Sequence, residues 1–284
     1  MYNYKNFILF GDSLTQRGYR CEQKGWVMSL SDRYNRRADI INRGFSGYNT
    51  FHALEVFPKL FNKEICKDTL LMTLFFGAND ACLDPHQILR PEAYVNNMRK
   101  LIHLCLETFP ENCPIIVITP PPCHAKKVNE IYKGVPGREN KRTEAYRHLC
   151  LSTIQEFSRR NPRVLHLDIW NDIFGGEGRG EEKEKGEEKE KEEGEEKEKE
   201  KEKEKEGEEK EKEKKWDTES EEFNTIVDKY LEDGLHFNAN GNELLYHSLI
   251  RLIEEKLPHL SSNNLTLIGP FWRDINPENY KSSF

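Results

Sequence analysis

The sequence predicts a doubly wound α/β domain, a parallel sheet covered by helices on both faces. Five short apolar runs, at 7–10, 38–41, 69–76, 114–119 and 164–169, are spaced along the chain. Several are continuous rather than alternating, which is what strands buried on both faces require. Stretches with helical spacing separate or follow them. That β-α-β-α alternation calls for right-handed crossovers between parallel strands.

The elements follow in order. The run Phe7-Ile-Leu-Phe10 is the first strand and stops at Gly11-Asp12-Ser13-Leu14. Residues 26–37 have helical spacing and lead to the second strand, which gives way to Asn42-Arg43-Gly44-Phe45-Ser46-Gly47-Tyr48-Asn49. A helix over 51–62 precedes the third strand, which ends at Gly77-Ala78-Asn79-Asp80, and a helix over 92–109 follows it. The fourth strand runs into a proline-rich loop. A helix over 138–160 then leads to the fifth strand, and a last helix covers 240–256.

Composition sets one segment apart. Of 284 residues, 36% are hydrophobic and 33% charged, with a net charge of −7. Residues 181–215 contain only 19 Glu, 13 Lys and 3 Gly, and removing them from 50 acidic and 43 basic residues leaves 31 and 30. The acidity therefore belongs to the insertion, and the remaining charge balance excludes a strongly basic nucleic-acid binder. Between 196 and 206 Glu and Lys alternate strictly, placing like charges at i,i+4. With glycines interrupting it and no apolar residue to bury, a disordered surface loop is expected, with partial helix as the alternative. The chain thus divides into 1–176, the first part of the domain; 177–218, the low-complexity insertion; and 219–284, its C-terminal part. A long insertion at such a place adds little loop-closure entropy.

The first ten residues lack a basic stretch followed by an apolar core, so no secretory signal is expected. No run of about eighteen apolar residues exists, so no membrane span is expected either. Seven scattered cysteines, with no CxxC pair, read as reduced thiols of a cytoplasmic protein.

In an open parallel sheet, ligands bind beyond the carboxyl ends of the strands, near the point where strand order reverses. Three successive strands here end in small and polar residues. Ser13 alone reads as a cap, Asn79 as a turn residue and Gly47 as a positive-φ position. A candidate base changes that reading. Of nine histidines, His236 stands just ahead of a helix in Asp233-Gly-Leu-His-Phe-Asn. Asp233 can hold the imidazole in one tautomer while the other nitrogen accepts a proton.

Gly11-Asp12-Ser13-Leu14, Gly47 within Phe-Ser-Gly-Tyr, Gly77-Ala-Asn79-Asp80 and Asp233-Gly-Leu-His236 resemble, in order, the four blocks of the SGNH (GDSL) hydrolase superfamily. Residues 37–50, Ile118-Thr-Pro-Pro-Pro122 and Pro270-Phe-Trp-Arg-Asp-Ile275 further resemble its isoamyl acetate-hydrolysing esterase branch. The likeness spans nearly everything except the Glu/Lys insertion. It implies a three-layer α/β/α, flavodoxin-like fold with strand order 2-1-3-4-5. It also implies a serine carboxylic-ester hydrolase working through an acyl-enzyme. Ser13 would be the nucleophile, His236 the base and Asp233 its orienting partner. The Ser13 and Gly47 N–H groups and the Asn79 amide would form the oxyanion hole. The substrates implied are small esters, such as acetates of short alcohols, or lipid esters. No cofactor and no metal is called for.

Three other readings compete. Gly44-Phe-Ser46-Gly-Tyr48 approaches the G-x-S-x-G elbow of α/β-hydrolases but lacks the last glycine. A metal-dependent phosphoesterase would gather Asp12, Asp80, His166 and Asp168 at strand ends. A non-catalytic scaffold would use the charged insertion as a partner tail. Ser13, Asn79 and His236 together favour the esterase.

Overall fold

The computed structural model describes residues 4–133, 137–175 and 216–278. The expected disorder of the Glu/Lys run concerns residues outside these. Strands β1 (Asn6–Gly11), β2 (Asp39–Gly44), β3 (Thr69–Phe75), β4 (Ile115–Ile118) and β5 (Val164–Leu167) form one sheet. Its order is β2-β1-β3-β4-β5 and every pairing is parallel. The winding reverses between β1 and β3, so the carboxyl ends of β1, β2 and β3 surround the crevice where a ligand site is expected.

The helices are α1 (Ser13–Gln16), α2 (Trp26–Arg33), α3 (Thr50–Leu60), α4 (Lys63–Cys66), α5 (Pro91–Thr108), α6 (Ala125–Ile131), α7 (Asn140–Ser158), α8 (Ile169–Gly175), α9 (Glu221–Asp228) and α10 (Ala239–Lys256). Alternation along the strands sorts them into two layers. Phe7, Leu9, Leu71, Phe75, Ile116 and Ile118 face a core built with α2, α8, α9 and α10. Ile8, Phe10, Met72, Leu74, Ile115 and Val117 face the opposite core, with α3, α5 and α7. Both faces of the central strands are buried, which explains their unbroken apolar sequence. Phe10 sits in an aromatic cluster, its ring centroid 4.9 Å from Phe76 and 5.2 Å from Phe61.

Several boundaries differ from the sequence expectation for local reasons. β2 extends past its apolar run to Gly44, because an edge strand tolerates the polar Asn42 and Arg43. The helix expected over 26–37 ends at Arg33 and passes into a turn with Arg36 at φ 60°. The guanidinium of Arg36 there donates to the carbonyls of Ile268, Gly269 and Pro270. The fifth run stops at Leu167, and Ile169 already begins α8. Helices α6 and α9 were not visible as periodic stretches. Ser220 caps α9, with Glu221 and Glu222 in its first turn, a start signal masked by the neighbouring run of acids.

Two residues at the end of the 177–218 division, Trp216 and Thr218, pack against the domain. Trp216 lies against the core with its ring 4.8 Å from Phe174, and Thr218 is buried, its carbonyl accepting from Asn140 Nδ2.

Candidate active site

Local chemistry at the end of β1 fixes Ser13. Asp12 caps α1, its carboxylate accepting the Leu14 N–H at 2.9 Å, so Ser13 becomes the first helical residue. Two glycines admit the short helix to the sheet edge. A Cβ on Gly11 would lie 2.2 Å from Thr15 Oγ1, and one on Gly44 would lie 2.1 Å from the Gln16 backbone nitrogen. Trp26, fully buried, donates its indole N–H to Leu14 O at 3.1 Å and holds the helix from below.

His236 arrives from the far end of the chain, 223 residues from Ser13. The isolated bridge Leu231–Phe237 closes a turn in which Asp233 Oδ1 accepts the N–H groups of Leu235 at 3.0 Å and His236 at 2.8 Å. The other oxygen, Oδ2, lies 2.7 Å from His236 Nδ1 and accepts the Tyr132 hydroxyl at 2.8 Å. Nδ1–H therefore donates to Asp233, which leaves Nε2 as an acceptor 2.9 Å from Ser13 Oγ. Burial alone would raise the Asp233 carboxyl. The hydrogen bond and charge of His236 outweigh it and hold the group well below the usual carboxylate range. Glu232 anchors the turn to the segment following Ser13 by accepting from Arg17, Arg20 and Gln23 at 3.2, 3.1 and 3.0 Å.

The opposite wall is formed by β2 and β3. Gly47 has φ +82°, in the region that disfavours other residues, while a Cβ there would meet only Gln87 Nε2 at 3.4 Å. Conformation rather than crowding calls for glycine at this position. Gln87 Nε2 donates to Gly47 O at 2.9 Å. Among the described residues, neither the Ser13 N–H nor the Gly47 N–H donates to a protein acceptor. Asn79 Nδ2 donates to Tyr48 O at 2.9 Å, and its Oδ1 accepts from Arg138 Nη2 at 3.1 Å. Ser13, Gly47, Asn79 and His236 line one cavity of about 220 Å³, together with Arg17, Tyr132 and Arg138. Four of the five residues expected to act together thus line one cavity, and Asp233 stands behind His236 on its Nδ1 side.

Arg138, Arg17, Tyr132 and Glu232 were not singled out in the sequence. Arg17 falls one helical turn after Ser13, a spacing that could have suggested it; nothing local marks Arg138 or Tyr132.

The carboxylates of the phosphoesterase reading have other partners. Arg147 clamps Asp168 with bonds of 2.9 and 3.1 Å from Nε and a further one from Nη2, and Thr119 donates to it at 2.9 Å. Asp80 accepts from Thr50 N at 3.0 Å and from the Thr50 hydroxyl. Among the described residues, no three His, Cys, Asp or Glu side chains group as a metal site. No described helix is long and apolar enough to cross a membrane.

Comparison with known proteins gives the class. Residues 9–184 match the GDSL-like lipase/acylhydrolase family. The chain is 30% identical over 275 residues to the human isoamyl acetate-hydrolyzing esterase 1 homolog, covering 94% of this chain and 87% of that protein. It is 26% identical over 289 residues to a GDSL esterase/lipase of Arabidopsis thaliana, covering 98% and 96%. An acetylxylan esterase from Geobacillus stearothermophilus superposes with a TM-score of 0.53 at 12% identity, covering 89% of this chain and 95% of that one. A likeness at that identity speaks for the fold alone. The protein is a carboxylic-ester hydrolase with a three-layer α/β/α fold. It belongs to the GDSL-like lipase/acylhydrolase family.

Proposed function

We propose that Ser13 is the nucleophile of an acyl-enzyme mechanism, with His236 as general base and Asp233 as its orienting partner. The observation that carries this reading is the unbroken chain Asp233 Oδ2–His236 Nδ1, 2.7 Å, and His236 Nε2–Ser13 Oγ, 2.9 Å. Ser13 Oγ attacks the ester carbonyl as its proton passes to His236 Nε2. The resulting imidazolium, stabilised by Asp233, returns that proton to the departing alcohol oxygen. Water, deprotonated in turn by His236, then releases the acid from Ser13. The oxyanion takes hydrogen bonds from Ser13 N, Gly47 N and Asn79 Nδ2. That the two backbone groups have no competing acceptor among the described residues favours this role.

Small esters, with acetates of short alcohols first and lipid esters second, are the proposed substrates. The size of the cavity and the name of the human relative support that class. The seven free cysteines, with Cys113 and Cys150 pushed up to about 12 by burial, suit a reducing compartment such as the cytoplasm. The test is a series of p-nitrophenyl esters of increasing acyl length, with wild type and Ser13→Ala side by side. Turnover should be highest for acetate and absent in Ser13→Ala at unchanged melting temperature. Equal activity in a folded Ser13→Ala protein would overturn the serine mechanism, and a preference for long acyl chains would overturn the short-ester assignment in favour of lipid esters.

A further inference from the structure

Arg138 stands out as a buried cation that, among the described residues, hydrogen-bonds no carboxylate. Its side chain reaches the cavity wall and donates Nη1 to Ala78 O and Nη2 to Asn79 Oδ1, 3.1 Å away. Both acceptors belong to the segment that carries the Asn79 amide. We infer that Arg138 is a positioning residue that locks the orientation of Asn79, so that the amide Nδ2 rather than Oδ1 faces the reacting carbonyl. This rests on the reading of Asn79 as an oxyanion donor.

A primary amide is nearly the same shape either way round, and only its partners decide which end points where. Tyr48 O at 2.9 Å calls for Nδ2, but a carbonyl at one end alone is a weak constraint. A guanidinium has no acceptor, so turning Asn79 over would set its NH2 against Arg138 N–H groups and forfeit a charge-assisted bond. It would also present Oδ1 lone pairs to the developing oxyanion. Arg138 itself is held: Asn129 Oδ1 accepts its backbone N–H at 2.8 Å, and Asn129 Nδ2 donates to its carbonyl at 3.2 Å. A Cβ on the preceding Gly137 would lie 2.2 Å from Asn129 Oδ1, so glycine permits that bracket. The second donor, to Ala78 O, fixes the guanidinium plane, which a single-point ammonium cannot do.

The experiment is a double-mutant cycle on the full chain with p-nitrophenyl acetate. Arg138→Ala, Arg138→Lys, Asn79→Ala and the Arg138→Ala/Asn79→Ala pair are compared, with kcat expressed per folded molecule from near-UV circular dichroism. Arg138→Ala should lower kcat by about 10- to 100-fold with KM nearly unchanged, as misplacing a transition-state contact does. Arg138→Lys should recover part of that loss. The pair should lie within about threefold of Asn79→Ala alone, because both changes remove one effect. Multiplying losses in the pair, or wild-type kcat in Arg138→Ala, would overturn the inference while leaving a damaged Asn79→Ala to support the oxyanion reading. Wild-type kcat in Asn79→Ala would overturn that reading and the inference with it. If neither Arg138 variant folds, Arg138 is structural and the inference is likewise overturned.

Discussion

Asp12 lies beneath Ser13 with one carboxylate oxygen on the Leu14 N–H and the other buried without a hydrogen-bond partner among the described residues. Burial raises its carboxyl to about 7, against the Leu14 N–H bond and the charge of Arg138, which lower it; Asp80 pushes it further up. A folded-state value above the ordinary 3.8 means that folding takes up a proton. The resulting stabilisation is full below about pH 4 and is lost as pH rises through about 7. Asp12→Asn keeps a capping oxygen and carries no charge at any pH. The melting temperature of Asp12→Asn relative to wild type should therefore climb between pH 5 and pH 8. A constant difference across that range would show that Asp12 does not titrate there. This site was partly legible in sequence. Ser13, Gly47, Asn79 and His236 stand in short contiguous blocks, where neighbouring residues supply the signal. Arg138 acts on a residue 59 positions away, and its role depends on a contact that only the fold creates.

Among the elements, α1 is seated by the end of β2 as much as by β1. Asn42 Nδ2 donates to Thr15 O at 2.7 Å, and Gln16 Oε1 accepts the Ser46 N–H at 2.7 Å. Gly44 leaves the room for this approach, since an added Cβ would meet Gln16 N at 2.1 Å and Gln16 Cα at 2.5 Å. Those atoms are backbone of the helix that presents Ser13, so relief of the clash must move the helix. Gly44→Ala should cost about 1–3 kcal/mol of stability. It should also lower kcat on p-nitrophenyl acetate beyond the loss of folded protein, measured together with the melting temperature. Unchanged stability and kcat would mean that α1 is not wedged against β2. The longer helices were readable from periodicity because one face of each is buried. Helix α6 gives only about two turns of pattern, α9 adjoins the charged run that masks its start, and β2 runs beyond its apolar stretch because an edge strand need not be apolar on both faces.

At the scale of the molecule, the sheet order β2-β1-β3-β4-β5 brings three strand ends together at the switch point. The continuous apolar runs made the fold class legible, while strand order came only with the family resemblance, since burial patterns do not record neighbours. The charged segment interrupts the chain, not the fold: Phe174 and Trp216, on either side of it, lie with tilted rings 4.8 Å apart against the same core. Both parts of the domain are needed for the site, because Ser13 comes from the first strand end and His236 from beyond the insertion. In the proposed mechanism this assembled pair forms an acyl-enzyme. Rapid acid quenching during turnover of p-nitrophenyl acetate, followed by peptide mass spectrometry, tests it directly. One acetyl group should appear on the peptide containing Ser13 and be absent from Ser13→Ala. An acetyl group on another residue, or steady turnover by Ser13→Ala, would contradict that mechanism.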